Sequence, residues 1–411
     1  MDRKLLGLRA LLAVVLACAA SALATGCEGL ANIEDRELGQ CGEFCDTVMR
    51  NCSGTNKVYE TRQKCMAVCK LYDVGDPSES QETNTLACRL REARDAQHAT
   101  EEEVSNHCRS AGPEGLECDG QCESYCQLYE RSCGEVQCGS NANCVAKCKA
   151  LRNKDSFNLT KDHDGNTVQC RLVHVSNSTV GGKATHCGHA KLSTPTEYCK
   201  DLPADDDGTG GGAASADPDI ITEARPQDYC RVVTVACGEG DYAQYESQKQ
   251  CEALAPYLTQ GVLGDQTDDT LACRLYHSYN SLCDESSHCP HAGPGGEGHC
   301  GEPTSDTVNH VEDVKCIAYC RLAKGVCEKQ YDSADGFDGD DDKCLEDCKT
   351  LVDHAVVEAG PDTPTRYRVS YAKTPGTLAC RLLAVSRAAE NGKNGSLCDT
   401  LAVFGKAGCA E

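Results

Sequence analysis

One cysteine spacing recurs four times along this 411-residue chain and leaves few folds open to it. The pattern is C-x3-C-x6-C, a variable stretch, C-x3-C, a longer stretch, a cysteine inside T-[LV]-[AQ]-C-R-L, and two final cysteines. The inner signature stands at Thr85–Leu90, Thr167–Leu172, Thr270–Leu275 and Thr377–Leu382. Self-similarity in register marks tandem copies of one structural unit. The repeats span 41–118, 122–199, 229–301 and 316–409. Cysteines number 34, while the chain has no Trp, four Phe and fifteen Tyr, so large side chains for a conventional core are scarce. Disulfides can replace such a core.

In a helix, C-x3-C sets two sulfurs one turn apart on one face, and a third cysteine eleven residues after the first returns to that face. The first helix of each repeat is expected there, with an aromatic before its second cysteine: Phe44, Tyr125, Tyr229 and Tyr319. A second helix carries the other C-x3-C pair. Antiparallel packing of the two faces joins first to fifth and second to fourth cysteine. Repeat three supports this independently, because its first and fifth positions are Pro226 and Ala255, lost together. The expected hairpin bridges are Cys41–Cys69, Cys45–Cys65, Cys122–Cys148, Cys126–Cys144, Cys230–Cys251, Cys316–Cys348 and Cys320–Cys344. The hairpin resembles the α-hairpinin motif of small secreted peptides.

A third helix is expected from the signature Thr, a good N-cap. Its cysteine most simply takes the third, giving Cys52–Cys88, Cys133–Cys170, Cys237–Cys273 and Cys327–Cys380. The last two cysteines then close a local loop as Cys108–Cys118, Cys187–Cys199, Cys289–Cys300 and Cys398–Cys409. Two cysteines outside the pattern, Cys138 and Cys283, are left to bridge repeats two and three. The expected fold class is mainly α: four disulfide-stapled modules of about three short helices each, with long loops.

Residues 1–26 read as a signal peptide, with Arg3 and Lys4 ahead of an apolar run over Leu11–Ala20 that is too short to span a bilayer stably. It closes as Leu23-Ala24-Thr25-Gly26-Cys27, which resembles a bacterial lipobox with Cys27 as the lipidated residue, although Leu is commoner at position 24. Residues 27–40 would be the lipidated tether. Cleavage removes Cys18 and lipidation consumes Cys27, which leaves 32 cysteines, the even number that full pairing requires. It also takes out Arg3, Lys4, Arg9 and Asp2, moving the formal charge from −24 to −26. So acidic a chain has no positive face for nucleic acid. The DDDGTGGGAASADPD stretch makes 200–228 a flexible Gly/Asp/Ala linker, and it suggests that the modules are grouped in two pairs.

Histidines gather near the ends of two repeats: His174, His186 and His189 in repeat two, His277, His288 and His291 in repeat three. Three neutral imidazoles can bind Zn or Cu. The same residues can equally be hydrogen-bonding groups of a turn, and repeat one keeps only His107. The acidic stretches 335–342 and 162–166 lack EF-hand spacing. The repeated Arg89, Arg171, Arg274 and Arg381 are expected to pair within their own repeats. No G-x-S-x-G, H-E-x-x-H or phosphate-cradling glycine loop occurs, and the reading is of a protein that is not an enzyme.

T-L-A-C-R-L and the HCPHAG stretch at 288–293 resemble tandem cysteine-rich repeat lipoproteins of the myxobacterial kind. That resemblance implies an exported lipoprotein of the outer membrane or cell surface, the periplasmic face being the other site. It carries no established activity. The leading expectation is a structural or interaction scaffold, anchored to the membrane by lipid, with envelope or extracellular protein or polysaccharide as partner. A metal-binding envelope protein is the first alternative, with no cofactor expected otherwise. The α-hairpinin resemblance implies a second, protease inhibition through a basic loop residue such as Lys57, but repeats two and three lack an equivalent near the loop tip.

Overall fold

The structure, a computed structural model, describes residues 39–76, 83–157, 159, 162–193, 198–200, 223–238, 240–297, 299–301, 314–351, 366–392, 395–399 and 409. The signal segment and Cys27 lie outside the described residues. Module one holds α1 (39–51), α2 (Arg62–Cys69), α3 (Leu86–Asp95) and α4 (Glu101–Ala111). Module two holds α5 (Gln121–Cys133), α6 (Asn141–Cys148), α7 (Val168–Ser178) and α8 (Lys183–His189). Module three repeats the order with α9 (Pro226–Cys237), α10 (Gln248–Leu254), α11 (Leu271–Asn280) and α12 (Glu285–Ala292). Module four has α13 (Val314–Val326), a one-turn α14 (Glu328–Tyr331), α15 (Asp341–Cys348), α16 (Leu378–Glu390) and α17 (Gly395–Cys398). No strand occurs among the described residues; modules one to three each carry one isolated parallel bridge, the signature Thr pairing with Asp73, Arg152 or Thr259.

The helices begin where the chain offers an oxygen to orphan amides. Thr61, Ser140, Ser247 and Asp340 cap the second helix of each module. The signature residues Thr85, Thr167, Thr270 and Thr377 cap the third, each accepting from the amide of its own signature cysteine. The aromatic of the first helix is fully buried in every module, as Phe44, Tyr125, Tyr229 and Tyr319. Tyr125 and Tyr229 donate their hydroxyls to the Ala190 and Ala292 carbonyls, both at 2.6 Å.

All cysteines from Cys41 onward are paired. The hairpin bridges run first to fifth and second to fourth: Cys41–Cys69, Cys45–Cys65, Cys122–Cys148, Cys126–Cys144, Cys316–Cys348 and Cys320–Cys344, with Cys230–Cys251 alone in module three. Where module three lacks its pair, Pro226 opens α9 and Ala255 is fully buried.

The other half of each framework differs from expectation. Cys52 bonds to Cys108 and not Cys88, Cys133 to Cys187 and not Cys170, Cys237 to Cys289 and not Cys273, and Cys327 to Cys398 and not Cys380. The last cysteine takes the one in the signature, as Cys88–Cys118, Cys170–Cys199, Cys273–Cys300 and Cys380–Cys409. Loops 108–118, 187–199, 289–300 and 398–409 are therefore not closed on themselves. The cause is a further helix after the signature helix in each module (α4, α8, α12 and α17), where about three helices in all were expected. In modules two and three this helix packs on both the first and the third helix. It carries the seventh cysteine to the end of the first helix, while the signature cysteine in the first turn of the third helix is left facing the tail. The resulting third-to-seventh bridges span 56, 54, 52 and 71 residues. In the chain-entropy view such long loops constrain the unfolded chain more than the short ones would.

The chain divides into two compact units, one ending at Gly120 and one from Gln121 to Glu411. Pairing of the modules two by two is thereby overturned: modules two, three and four share a unit. Cys138–Cys283 joins modules two and three across 145 residues. Beside it Lys147 donates to the Val235 and Ala236 carbonyls at 3.1 and 3.0 Å and meets Glu285 at 2.6 Å, a cation at the C-terminus of α9 where the helix dipole favours one. Modules three and four meet through Arg321–Asp269 at 2.8 Å, Arg387–Glu246 at 2.6 Å and the buried pair Lys315–Glu297 at 3.2 Å. The linker 200–228 also ends earlier than expected, since Pro226 already belongs to α9 and Asp228 is buried between Arg225 and Arg231.

Candidate functional site

Each module is organised about its signature helix. Arg89, Arg171, Arg274 and Arg381, one residue after the signature cysteine, are among the largest fully buried side chains. Arg171 donates to the carbonyls of Lys191, Thr167 and Leu192 at 3.0, 3.1 and 3.4 Å. Arg274 donates to Gly293, Thr270 and Pro294 at 3.0, 3.1 and 3.1 Å, and to Asp269 at 2.7 Å. Arg89 reaches the Ser110 carbonyl at 3.1 Å and lies 4.1 Å from the Tyr72 ring centroid. Arg381 donates to Thr377 at 3.3 Å. The guanidinium's fan of donors satisfies carbonyls that the end of the fourth helix leaves over. These arginines are structural hubs, each turned inward on its own module.

Four residues after the signature cysteine the third helix returns to the face that carries the disulfide. In modules two and three this position is His174 and His277, each only 4% exposed. The fourth helix supplies two more imidazoles three residues apart, His186 and His189 or His288 and His291. His174 Nδ1 lies 3.1 Å from His186 Nδ1, and His277 Nδ1 lies 3.0 Å from His288 Nδ1. Ring centroids of the three pairs are 5.4, 4.9 and 6.3 Å apart in module two, and 5.3, 5.0 and 6.4 Å in module three. The ring centroids of the two trios therefore form nearly congruent triangles, and in module two the donor atoms also lie within 4.8 Å of one another. The Nε2 of His174 sits 3.2 Å from the His163 carbonyl, and that of His277 sits 3.1 Å from the Gln266 carbonyl. A carbonyl only accepts, so both rings carry their proton on Nε2 and present a bare Nδ1 to the cluster. Burial lowers His174 and His277 to about 4, lowers His288, and lowers His291 to about 2, with neighbouring imidazoles adding to each effect.

Sequence spacing missed one member. His299, immediately before Cys300, stacks on His277 at 5.3 Å and lies 4.4 Å from His291. The matching residue in module two is Tyr198, 5.5 Å from His174 and 4.5 Å from His189. Aligning the residues before the last cysteine would have exposed the position. In module one the corresponding residues are Glu92 and His107, which pair at 2.8 Å. In module four they are Ala384 and Leu397, and Ala384 packs against the Cys380–Cys409 bridge.

Other candidate residues are occupied in the fold. Asp162 pairs with the buried Lys154 at 3.0 Å. Within 335–342, Asp338 pairs with Lys343, Asp340 caps α15, and Asp341 receives both Lys324 and the Tyr331 hydroxyl. Lys57 follows a single turn of 3-10 helix at Gly54–Asn56 and is half-buried.

The model of the BfoA family C-terminal domain matches residues 39–124 and 206–306. The two matched segments contain modules one and three, so over these stretches the chain is similar to that family as a cysteine-rich protein. No curated protein and no solved structure matches the chain. Disulfides in this number form and persist in an oxidising, non-cytoplasmic compartment, extracellular or periplasmic. No helix among the described residues is long and apolar enough to cross a membrane.

Proposed function

We propose that this chain is an exported, lipid-anchored envelope protein whose oxidised modules serve as a structural or interaction scaffold. The observation that carries the reading is the joining of separate modules by Cys138–Cys283, because a bridge between repeats makes several small folds bear load or present a surface as one body. Support for the anchor comes from the Leu23–Cys27 lipobox-like sequence and the even number of remaining cysteines. The partner expected is an envelope or extracellular protein or polysaccharide. An acidic surface, −24 over the whole chain, favours partners that are neutral or cationic.

The anchor is tested by labelling cells with a radioactive fatty acid and fractionating them. Wild type should carry label in the membrane fraction, and Cys27→Ser should lose the label and enter the soluble fraction. Unchanged fractionation of an unlabelled wild type would remove the lipid tether. The scaffold is tested by in-cell crosslinking followed by mass spectrometry. Reproducible adducts to envelope components, weakened by Cys138→Ala with Cys283→Ala, are expected; adducts to nothing but bulk neighbours would count against it.

A further inference from the structure

The framework of the module can be built without the histidine trios. Module four builds the same hairpin and signature helix, the same third-to-seventh and sixth-to-eighth bridges and the same buried arginine with Ala384 at the corresponding position and Leu397 before the seventh cysteine. Module one fills the place with an ion pair, Glu92–His107, that is complete in itself. Folding this unit therefore needs no imidazole. Burying mutually facing neutral rings is less favourable than burying Ala, since their polar nitrogens must be desolvated.

We propose that modules two and three each bind one borderline first-row divalent cation, Zn(II) or Cu(II), through these clusters. In module two the ligands are His174, His186 and His189, whose donor atoms all lie within 4.8 Å of one another. Tetrahedral zinc with metal–nitrogen bonds of about 2.0–2.1 Å sets its ligand nitrogens about 3.3–3.4 Å apart. The Nδ1–Nδ1 separation of 3.1 Å is shorter by a few tenths of an ångström, so a small parting of His174 and His186 admits the ion. In module three the ligands are His277 with His288 and His291, and His299 stands as a fourth imidazole where module two has Tyr198.

The outer contacts match what a metal-binding imidazole needs. Ligating histidines donate their second ring N–H to a carbonyl or carboxylate, which fixes the tautomer and aims the lone pair. His174 and His277 do so to the His163 and Gln266 carbonyls. His291 Nδ1 bonds the Glu297 carbonyl, which leaves its Nε2 as the donor. With His174 Nδ1 bare, the proton between the paired rings belongs to His186 Nδ1. On binding, His186 gives up that Nδ1 proton to its own Nε2, the tautomeric exchange open to a neutral imidazole, so the ion enters between two lone pairs and no ligand need change charge. The cysteines nearest the trios are spent in Cys170–Cys199 and Cys273–Cys300 and offer no thiolate. These bridges and Cys133–Cys187 and Cys237–Cys289 hold the two ligand-bearing helices in place before an ion arrives. His186, His189 and His288 are half-buried and His299 is exposed, so an ion has a way in to each cluster from solvent.

The test is titration of the full oxidised chain with zinc sulfate and, separately, with copper sulfate, followed calorimetrically. Two ions per chain are expected for at least one metal. His186→Asn with His189→Asn should remove one ion, His288→Asn with His291→Asn the other, and all four together both, with affinity reduced more than ~100-fold at each altered module. These positions are partly exposed or on the short fourth helix, and retention of the fold is read from helical circular dichroism and from the absence of alkylatable thiols. Copper(II) resonance spectra should show at least three nitrogen ligands, or zinc absorption fine structure the same; the metal giving that signature identifies the ion. Failure of wild type to bind either metal, or binding that survives the fourfold variant in a folded chain, would overturn the proposal. Neither result bears on the lipid anchor or the scaffold.

Discussion

Modules three and four are two solutions of one framework, and they differ at its centre. Both have a signature helix capped by threonine, a buried arginine, and a third-to-seventh and a sixth-to-eighth bridge. Module three lacks one hairpin bridge and fills the space beside Cys273–Cys300 with imidazoles. Module four keeps both hairpin bridges and fills the equivalent space with Ala384. The contrast separates what holds the fold from what is laid upon it. Bridges, cap and arginine belong to the fold; the histidines are surplus to it.

The largest test of that separation is the arginine. Arg274→Met should take a donor from the Gly293, Thr270 and Pro294 carbonyls and from the Asp269 carboxylate, which keeps Arg321, and destabilise module three by about 3 kcal/mol, the lower end of the cost of breaking a buried pair. Arg381→Met should be damaging in the same way, as read from denaturant unfolding of the oxidised chain. Milder loss in module three than in module four would show that the hub is not shared.

Next come the long bridges. Cys237→Ala with Cys289→Ala opens a 52-residue separation and Cys327→Ala with Cys398→Ala one of 71, so each should cost about 4 kcal/mol and the two should differ little. Non-reducing peptide maps should recover Cys237 joined to Cys289. A peptide joining Cys237 to Cys273 would reverse the connectivity.

pH should split the modules where the bridges do not. His277 is held near 4 when folded by burial, against an ordinary value of about 6.5 in the unfolded chain, with His288, His291 and His299 around it. Between those values the unfolded chain binds the extra proton, so module three keeps its full stability above about pH 6.5 and loses it progressively toward pH 4, and His291, held near 2, extends the loss below that. Module four, with Ala384 there, should lack this slope. Metal-free hydrogen exchange of α11 and α16 amides across that range reads both at once, and parallel profiles would break the distinction.

The signature cap comes lower, at about 1 kcal/mol for Thr270→Ala or Thr377→Ala. Smallest of all is the exchange of module three's centre for module four's: His277→Ala with His288→Leu removes both partners of a contact, and stability should change by about 1 kcal/mol or less while metal binding at that module disappears. A loss as large as that of Arg274→Met would make the histidines part of the fold after all.

The hairpins were legible in the sequence because helical period alone places cysteines four and eleven residues apart on one face, as Cys41, Cys45 and Cys52 show. The joint loss at Pro226 and Ala255 named the partners without coordinates. Unpatterned Cys138 and Cys283 were a pair by remainder. The fourth helix was not legible: α8 is KATHCGH, too short for a period, and α12 contains Pro290. Without it, local loop closure looked simplest and the second half of each framework was misassigned.

Sequence by itself determined the repeat, the helical hairpin, the oxidised state and the positions of six of the histidines. Only the tertiary structure decided which sulfur the signature cysteine meets, that modules two to four form one unit, and that His299 joins the trio in module three. The physical reason is range. Spacing fixes what lies within a few turns of helix, whereas the return of a seven- or eight-residue helix across modules two and three is set by packing on two other helices and by a buried arginine that gathers the carbonyls at its end.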